Sequence, residues 1–320
     1  MNITVKQIQF KSTDEISELF GWLYIPAESN GVVVQIIHGM AEHMGRYHDF
    51  MRELAQHGYV TCGIDQLGHG HSAHADQFGF FAEQDGWKLL IDDQYKFNKI
   101  IRSELPEHHV VLLGHSMGSL IARLYASKLP HTIHALILSG TARAGIRVET
   151  AIQIANRSVK KFGPYYPDAG LDKLAFGNYN DHFQPAKTKF DWLSRDKEMV
   201  RLYTDDELCG FLFTTSAFRD LFILMRNANN KKCFESTPSD LPILLYAGTM
   251  DPVGDFGKGP SQIYERYRKA GVTDIEMVLY EGGRHEMLNE INREQVYSDL
   301  LRWLEKYNPH IEFNEQEELD

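Results

Sequence analysis

The stretch that decides the fold is Val110-Val111-Leu112-Leu113-Gly114-His115-Ser116-Met117-Gly118. A β-branched apolar run stops at a glycine, a serine follows two residues later, and a second glycine opens an apolar segment with helical spacing. The sequence therefore predicts Gly-x-Ser-x-Gly between a buried strand and a helix, which is the context of a nucleophile elbow. In such a turn the serine hydroxyl projects above the sheet. A serine that only caps the helix is the alternative interpretation.

Composition restricts the partners and the compartment. The 320 residues carry a formal net charge of -11, which argues against nucleic acid and anionic lipid as binding partners because both attract basic proteins. The three cysteines are scattered without metal-ligand spacing, which predicts a reducing compartment and a cytoplasmic location. The N-terminus lacks a signal-peptide core, and no apolar run is long enough to span a bilayer. The oligomeric state is left open.

Strands and helices alternate on both sides of the elbow. Segments 3–10 and 17–25 alternate apolar with polar residues and predict two antiparallel edge strands. Nearly continuous apolar runs predict buried parallel strands, at 32–37, 59–64, 110–113, 134–140, 242–248 and 275–280. Helical patterns occur between or after them, at about 47–57, 86–103, 260–270 and 289–306. The expected fold class is α/β, with a mostly parallel central sheet flanked by helices.

The alternation stops between the strands at 134–140 and 242–248. Residues 141–237 show helical patterns without a convincing strand. They are predicted to form an inserted helical cap over the C-terminal ends of the strands, where open α/β sheets bind ligands. Residues 1–140 and 238–307 would form the core, and the acidic residues 308–320 a flexible tail.

A nucleophilic serine needs a base, and the base needs an orienting acid. Asp251 lies just past the strand at 242–248, with Asp255 as a local competitor and an Asp-Pro turn as the alternative interpretation. His285 is the histidine that follows the last predicted strand, on a glycine-rich loop. The predicted catalytic residues are therefore Ser116, His285 and Asp251, in the chain order serine, acid, histidine.

An oxyanion hole requires two backbone amides. One would belong to Met117, directly after the serine, and the other to Met40 in the loop after the strand at 32–37. Gly39 allows the backbone turn that aims the Met40 amide, and His38 is expected to have a structural role.

Several histidines cluster in the first quarter of the chain. Their spacing does not resemble a helical zinc motif, so no metal site is predicted. They are His43, His48, His69, His71 and His74.

Five segments together carry a resemblance to a known family. In this order, and over nearly the whole chain, they resemble the monoacylglycerol lipase and lysophospholipase branch of the α/β-hydrolases. A sixth segment, 190–196, resembles bacterial members of that branch. The five segments cover residues 38–47, 65–72, 114–118, 247–254 and 284–287.

The resemblance implies an α/β-hydrolase fold and a serine hydrolase without a cofactor. It implies cleavage of carboxylic esters, of monoacylglycerols or lysophospholipid-type single-chain lipids, through an acyl-enzyme on Ser116. Glu42 and Arg46 match family positions that brace the oxyanion loop and line the polar end of the pocket. Met40 replaces a small residue and would narrow the acyl pocket. Leu288 stands where mammalian monoglyceride lipases have a second histidine near the glycerol, which argues against a strict monoglyceride assignment and leaves lysophospholipid or simple esters open.

The apolar segment 211–225 is the candidate substrate selector. Phe211 and Phe218 lie on one helical stripe, which would form an acyl-chain entrance with transient contact to a lipid surface. The alternative, favoured for most residues of the stripe, is that it packs the cap onto the core.

Rival functions remain open at this point. An aminopeptidase or thioesterase would use the same three catalytic residues, and an aminopeptidase would need an acidic anchor such as Glu149, Asp168 or Asp172. A non-catalytic binding protein on a hydrolase scaffold is disfavoured because all three catalytic candidates are present.

Overall fold

The computed structural model describes residues 2–73, 77–145 and 147–307, so His74 and the predicted tail 308–320 lie outside the described residues. Eight strands form one sheet. They are β1 (Ile3–Lys11), β2 (Glu18–Pro26), β3 (Val32–Ile37), β4 (Val60–Ile64), β5 (His109–His115), β6 (Ala135–Ser139), β7 (Ile243–Gly248) and β8 (Ile275–Tyr280). Their order across the sheet is β1-β2-β4-β3-β5-β6-β7-β8. The β1–β2 and β2–β4 pairs are antiparallel, and all other neighbours are parallel. The predicted fold class is confirmed.

Helices cover the two faces of this sheet. They are α1 (His48–Gln56), α2 (Gly86–Glu104), α3 (Met117–Lys128), α4 (Val148–Phe162), α5 (Ala169–Phe176), α6 (Lys197–Asp205), α7 (Thr215–Ala228), α8 (Lys231–Glu235), α9 (Lys258–Ala270) and α10 (Arg293–Glu305). Among these helices, none is long and apolar enough to cross a membrane.

The central strands are buried on both faces, which explains their continuous apolar runs. In β3, Val33 and Ile37 pack into the apolar cluster that includes residues of α2, α3 and α7. Val32, Val34 and Ile36 pack into the opposite cluster with α1 and α10. Because successive residues of a strand face opposite sides, each strand contributes to two cores.

The last helix begins later than the sequence pattern predicts. The pattern predicts a helix from about 289, whereas α10 begins at Arg293 and a single 3-10 turn covers 287–289. The buried Glu290 carboxylate accepts hydrogen bonds from the Arg284 and Ile291 amides. These bonds hold residues 284–291 as a loop instead of a helical turn.

Helices α4 to α8 occupy the region between β6 and β7, where the pairing found among the described residues is a single bridge between Pro167 and Thr214. Within this region α7 packs against α2, α3 and α4. Phe218 on α7 is fully buried in the core cluster. The apolar stripe of α7 therefore packs onto the helical layer beside the sheet.

Candidate active site

The site begins at the turn between β5 and α3. Ser116 has φ 53° and ψ -118°, a left-handed conformation that a non-glycine residue adopts at a cost of about 1–3 kcal/mol. The turn is held because the Ser116 amide donates to the Ser139 carbonyl at 2.9 Å. A Cβ on Gly118 would overlap the Ile37 carbonyl, and one on Gly114 would overlap the Gly118 carbonyl. The close approach of strand and helix thus requires both glycines.

The loops after β7 and β8 bring an acid and a base to the same edge. His285 Nδ1 lies 3.0 Å from each carboxylate oxygen of Asp251, and both side chains are buried. The Val253 amide donates to Asp251 Oδ1 at 2.9 Å. Since Nδ1 donates to the carboxylate, Nε2 is the ring nitrogen that can accept a proton. The competitor Asp255 is half-exposed and bonds Arg143 instead.

His285 and Ser116 line one cavity. Within the described part of the chain, the Ser116 hydroxyl has no hydrogen-bond partner closer than 3.5 Å. Catalytic hydrogen bonds are often long without substrate and tighten when it binds. The cavity therefore presents a hydroxyl and a base that a substrate carbonyl could bring together.

Two histidines in contact at this site have opposite pKa shifts. Burial disfavours the charged form of His285, but the charge and hydrogen bond of Asp251, with smaller influences of Glu286 and Glu42, together outweigh it and raise the pKa of His285 above its ordinary value of 6.5. Burial, and then His285 itself, lower the pKa of His115 to about 4. The two ring centroids lie 4.7 Å apart. His285 is thus the member of the pair that can carry a proton near neutral pH.

This difference predicts the acid limb of the pH profile. Protonated His285 cannot accept the serine proton, so kcat/KM for an uncharged ester should fall as pH decreases through a pKa above 6.5. Initial rates across the pH range would measure it. A limb near 4, the pKa to which burial brings His115, would contradict the assignment of His285 as the base.

The loop after β3 lies beside Ser116. Gly39, Met40 and Ala41 line the same cavity. The Ala41 carbonyl accepts from the Tyr203 hydroxyl and the Gly210 amide, both at 2.9 Å. These bonds tie the loop to the region between β6 and β7 and fix the peptide between Ala41 and Glu42. The amides of Met40 and Met117 remain the predicted oxyanion donors.

Two buried histidines hold this loop through hydrogen bonds to its backbone and to neighbouring segments. His69 Nε2 accepts from the Ala41 amide at 3.2 Å while its Nδ1 donates to the Leu67 carbonyl. Burial lowers the pKa of His69 to about 3 and also lowers that of His38. His38 Nε2 accepts from the backbone amide of Gln66 at 3.0 Å. Both rings are neutral supports of the loop.

A charged network forms the polar wall. Arg46 donates to Glu42 at 2.7 Å and, through two nitrogens, to Glu286 at 2.5 and 2.6 Å. Glu42 also accepts from the Gly39 amide and the Tyr47 hydroxyl. Burial opposes ionisation of Glu42, but Arg46, the two histidines His115 and His38, and the Tyr47 hydrogen bond together outweigh it and lower the pKa of Glu42 to about 2. Two carboxylates and one guanidinium leave the network with one negative charge.

The cavity has a volume of about 210 Å³. Its walls combine aromatic rings with a few polar groups. Beyond Ser116, His285 and the residues named above, they include Asp172, Phe176, Asn180, Lys189, Phe190, Trp192, Leu193, Phe211 and Val253. Phe211 thus lies where the sequence predicts a substrate-binding residue.

Two predicted substrate-binding residues lie elsewhere. Phe218 packs between Phe213 and Phe222 in the core. Leu288 lines a separate, water-sized cavity of about 10 Å³ behind Glu42 and Glu286. Neither lines the larger cavity: Phe218 belongs to one apolar cluster of the core, and Leu288 to the cluster on the opposite face of the sheet.

The sequence interpretation missed Glu286 and left Trp192 ambiguous. Glu286 lines the cavity and holds Arg46, and the Trp192 ring lies 5.2 Å from that of His285. Its position directly after the predicted base His285 is the sequence feature that could have indicated a role for Glu286 in the site.

The three acidic anchors considered for a peptidase differ in position. Asp172 lines the cavity. Asp168 caps α5 through the Gly170 and Leu171 amides. Glu149 lies on α4 and is 3.8 Å from Arg226.

Comparisons with known proteins identify a family and several similar chains. The family model Hydrolase_4, described as "Serine aminopeptidase, S33", matches residues 28–292. The monoacylglycerol lipase of Mycolicibacterium smegmatis is 26% identical over 285 residues, covering 87% of this chain and 89% of that protein. The monoglyceride lipase of Rattus norvegicus is 24% identical over 289 residues, covering 89% and 86%. A thermostable carboxyl esterase from Bacillus coagulans, solved in complex with glycerol, has a TM-score of 0.89 at 24% identity, covering 94% of this chain and 98% of that one.

Proposed function

Because the chain belongs to the Hydrolase_4 family of α/β-hydrolases, we propose that it is a serine hydrolase of carboxylic esters, with monoacylglycerols as its preferred substrates and lysophospholipid-type esters as the next class. The observation that carries the proposal is that the strained Ser116 lines the same cavity as His285, whose Nδ1 is bonded to a buried carboxylate.

The proposed mechanism uses this chain's own groups. His285 Nε2 takes the Ser116 proton while the serine oxygen attacks the ester carbonyl carbon. The amides of Met40 and Met117 stabilise the resulting oxyanion. The carbon–oxygen bond then breaks and the alcohol leaves with the proton from His285. Water attacks the acyl-enzyme, His285 takes its proton, and the acid is released as Ser116 is restored.

The charge of the polar wall favours a neutral, hydroxyl-rich alcohol. Glu42 and Glu286 line the cavity, whereas Arg46 is bonded to both of them. Carboxylate oxygens can accept further hydrogen bonds from a polyol, while a buried negative wall repels an anionic leaving group. The names of the mycobacterial and rat relatives support the same substrate class. This favours monoacylglycerols over anionic lipids.

Residues 141–237 are proposed to form the cap, with α5 and α6 lying over the cavity. Phe176 of α5 and Tyr203 of α6 line it. Three exposed aromatic side chains, Phe162, Tyr165 and Tyr166, lie at the C-terminal end of α4 and in the segment directly after it. Such patches suit transient contact with a lipid surface, which we propose as the route by which single-chain esters reach the cavity. We also propose a cytoplasmic location, since all three cysteines are free.

One observation favours aminopeptidase activity as a second candidate. Asp172 lines the cavity and could pair with a free amino terminus, and the family description names a serine aminopeptidase. Against it, burial raises the pKa of the Asp172 carboxyl, with Lys189 as an opposing influence. A raised pKa weakens a carboxylate as an anchor for an ammonium group.

A substrate panel tests the proposal. Purified protein would be assayed with monoacylglycerols of graded chain length, lysophosphatidylcholine, fatty-acyl thioesters and amino-acid naphthylamides. We expect the largest kcat/KM, by at least about tenfold, for a monoacylglycerol, since a site that holds substrate hydroxyls rejects analogues lacking them. Preferred cleavage of a naphthylamide, together with its loss in Asp172→Asn, would establish the aminopeptidase instead.

A further inference from the structure

Three side chains from distant parts of the chain meet beside the loop that carries Met40. His43 follows that loop, Asp206 follows α6, and Cys209 lies three residues later. One imidazole nitrogen, one carboxylate oxygen and the thiol sulfur all lie within 4.8 Å of one another. Nitrogen, oxygen and sulfur donors of these kinds are the ligands that zinc and related thiophilic cations prefer.

We propose that His43, Asp206 and Cys209 form a binding site for one thiophilic divalent cation, such as Zn²⁺ or Cd²⁺, with a fourth position open to solvent. The three side chains are separate from those that line the Ser116 cavity. The Asp206 side chain is 32% exposed, which gives a cation access, whereas His43 is nearly buried at 11%.

The charges of the ligands themselves suit a divalent cation. The Asp206 carboxylate lies 2.9 Å from His43 Nε2. A divalent cation bound to the thiolate and to the Asp206 carboxylate would bring the charge of the three groups to zero. The thiol proton is released to solvent when the sulfur–metal bond forms.

The histidine needs one rearrangement. His43 Nε2 lies 2.9 Å from Asp206 Oδ2, and Nδ1 accepts from the Gly45 amide at 3.2 Å. A cation on Nε2 therefore requires the ring proton to move to Nδ1, which gives up both the hydrogen bond from Nε2 to Asp206 and the longer one from the Gly45 amide. This cost predicts a site that binds reversibly, in contrast to a closed structural zinc site.

The sequence interpretation predicts no metal site, and the reason is the separation of the ligands. His43 and Asp206 are 163 residues apart, so spacing within one helix or loop cannot reveal them. The folding of the segment after α6 against the loop at 39–43, through the bond from the Gly210 amide to the Ala41 carbonyl, brings them together.

Titration of the full-length protein with Cd²⁺ tests the proposal. Sulfur-to-cadmium charge-transfer absorption in the ultraviolet should rise to one equivalent per chain. Cys209→Ser should abolish the band, and His43→Asn should weaken the affinity by at least about tenfold. Cys233→Ser is the matched control, because its buried thiol bonds the Arg123 carbonyl and should not contribute. An equal band in Cys209→Ser and wild type would overturn the proposal.

A second measurement needs no variant. In native protein Cys209 is half-buried, whereas Cys62 and Cys233 are buried. Alkylation followed by peptide mass mapping should show Cys209 modified alone, and Cd²⁺ should slow that modification at least about tenfold if it occupies the thiolate. Unchanged alkylation with Cd²⁺ present would overturn the proposal even where a variant fails to fold. Neither readout depends on ester hydrolysis, so failure here is distinguishable from failure of the proposed function.

Discussion

Ser116→Ala is expected to reduce ester hydrolysis by at least about 10⁴-fold and to abolish labelling by a fluorophosphonate probe. The loss should appear in kcat with little change in KM, because the hydroxyl forms its bond to the substrate only during the reaction. A p-nitrophenyl ester assay and gel detection of the probe would measure both effects. Turnover at the wild-type level would refute the assignment of Ser116 as the nucleophile.

Ser119→Ala provides a matched control within the same turn. The Ser119 hydroxyl donates to the Ser116 carbonyl at 2.6 Å, and the Ser119 amide already donates to that carbonyl. Removing the hydroxyl should therefore cost no more than about 1 kcal/mol of folding stability and leave probe labelling intact. If both variants lost labelling, distortion of the elbow would explain the result. Circular dichroism would then show whether either variant has also lost its overall fold.

The sequence predicts the architecture well because each buried strand is recognisable from its own continuous apolar run. The bounds predicted for β3 and β8 agree with the observed ones. Ser116, Asp251 and His285 could be selected because each follows its own strand, and parallel strands bring their carboxyl ends to one edge. The order of the strands along the chain therefore identifies the three residues although they are far apart in the sequence.

Interactions between distant segments could not be predicted in the same way. Glu286 holds Arg46 across 240 residues, and such a pair leaves no periodic signal in a single sequence. Similarly, an apolar stripe does not reveal whether it faces a core or a cavity, which is why Phe211 and Phe218 could not be distinguished. Leu288 and Glu286 line the same small cavity, and a single sequence gives no signal for that cavity either.

Asp251→Asn is expected to lower kcat by about 10⁴-fold while leaving KM nearly unchanged. The Val253 amide donates to Asp251 Oδ1, so an asparagine would keep its oxygen there and present its NH₂ group to His285 Nδ1. That nitrogen would then have to accept, which places the ring proton on Nε2. Nε2 could no longer take the serine proton. Asp255→Asn is the control, because its carboxylate bonds Arg143 at the half-exposed surface and an exposed ion pair is worth about 1 kcal/mol or less.

The pH profile of Asp251→Asn separates orientation from a general loss of structure. The Asp251 carboxylate is what raises the pKa of His285 against the opposing effect of burial. Without that negative charge, burial is opposed by the smaller influences of Glu286 and Glu42, so the pKa should fall below that of wild type. The residual activity should therefore persist to lower pH than in wild type, whereas a partly unfolded variant would lose amplitude without moving the acid limb. An acid limb at the wild-type position in a folded Asp251→Asn protein would show that another group orients the base.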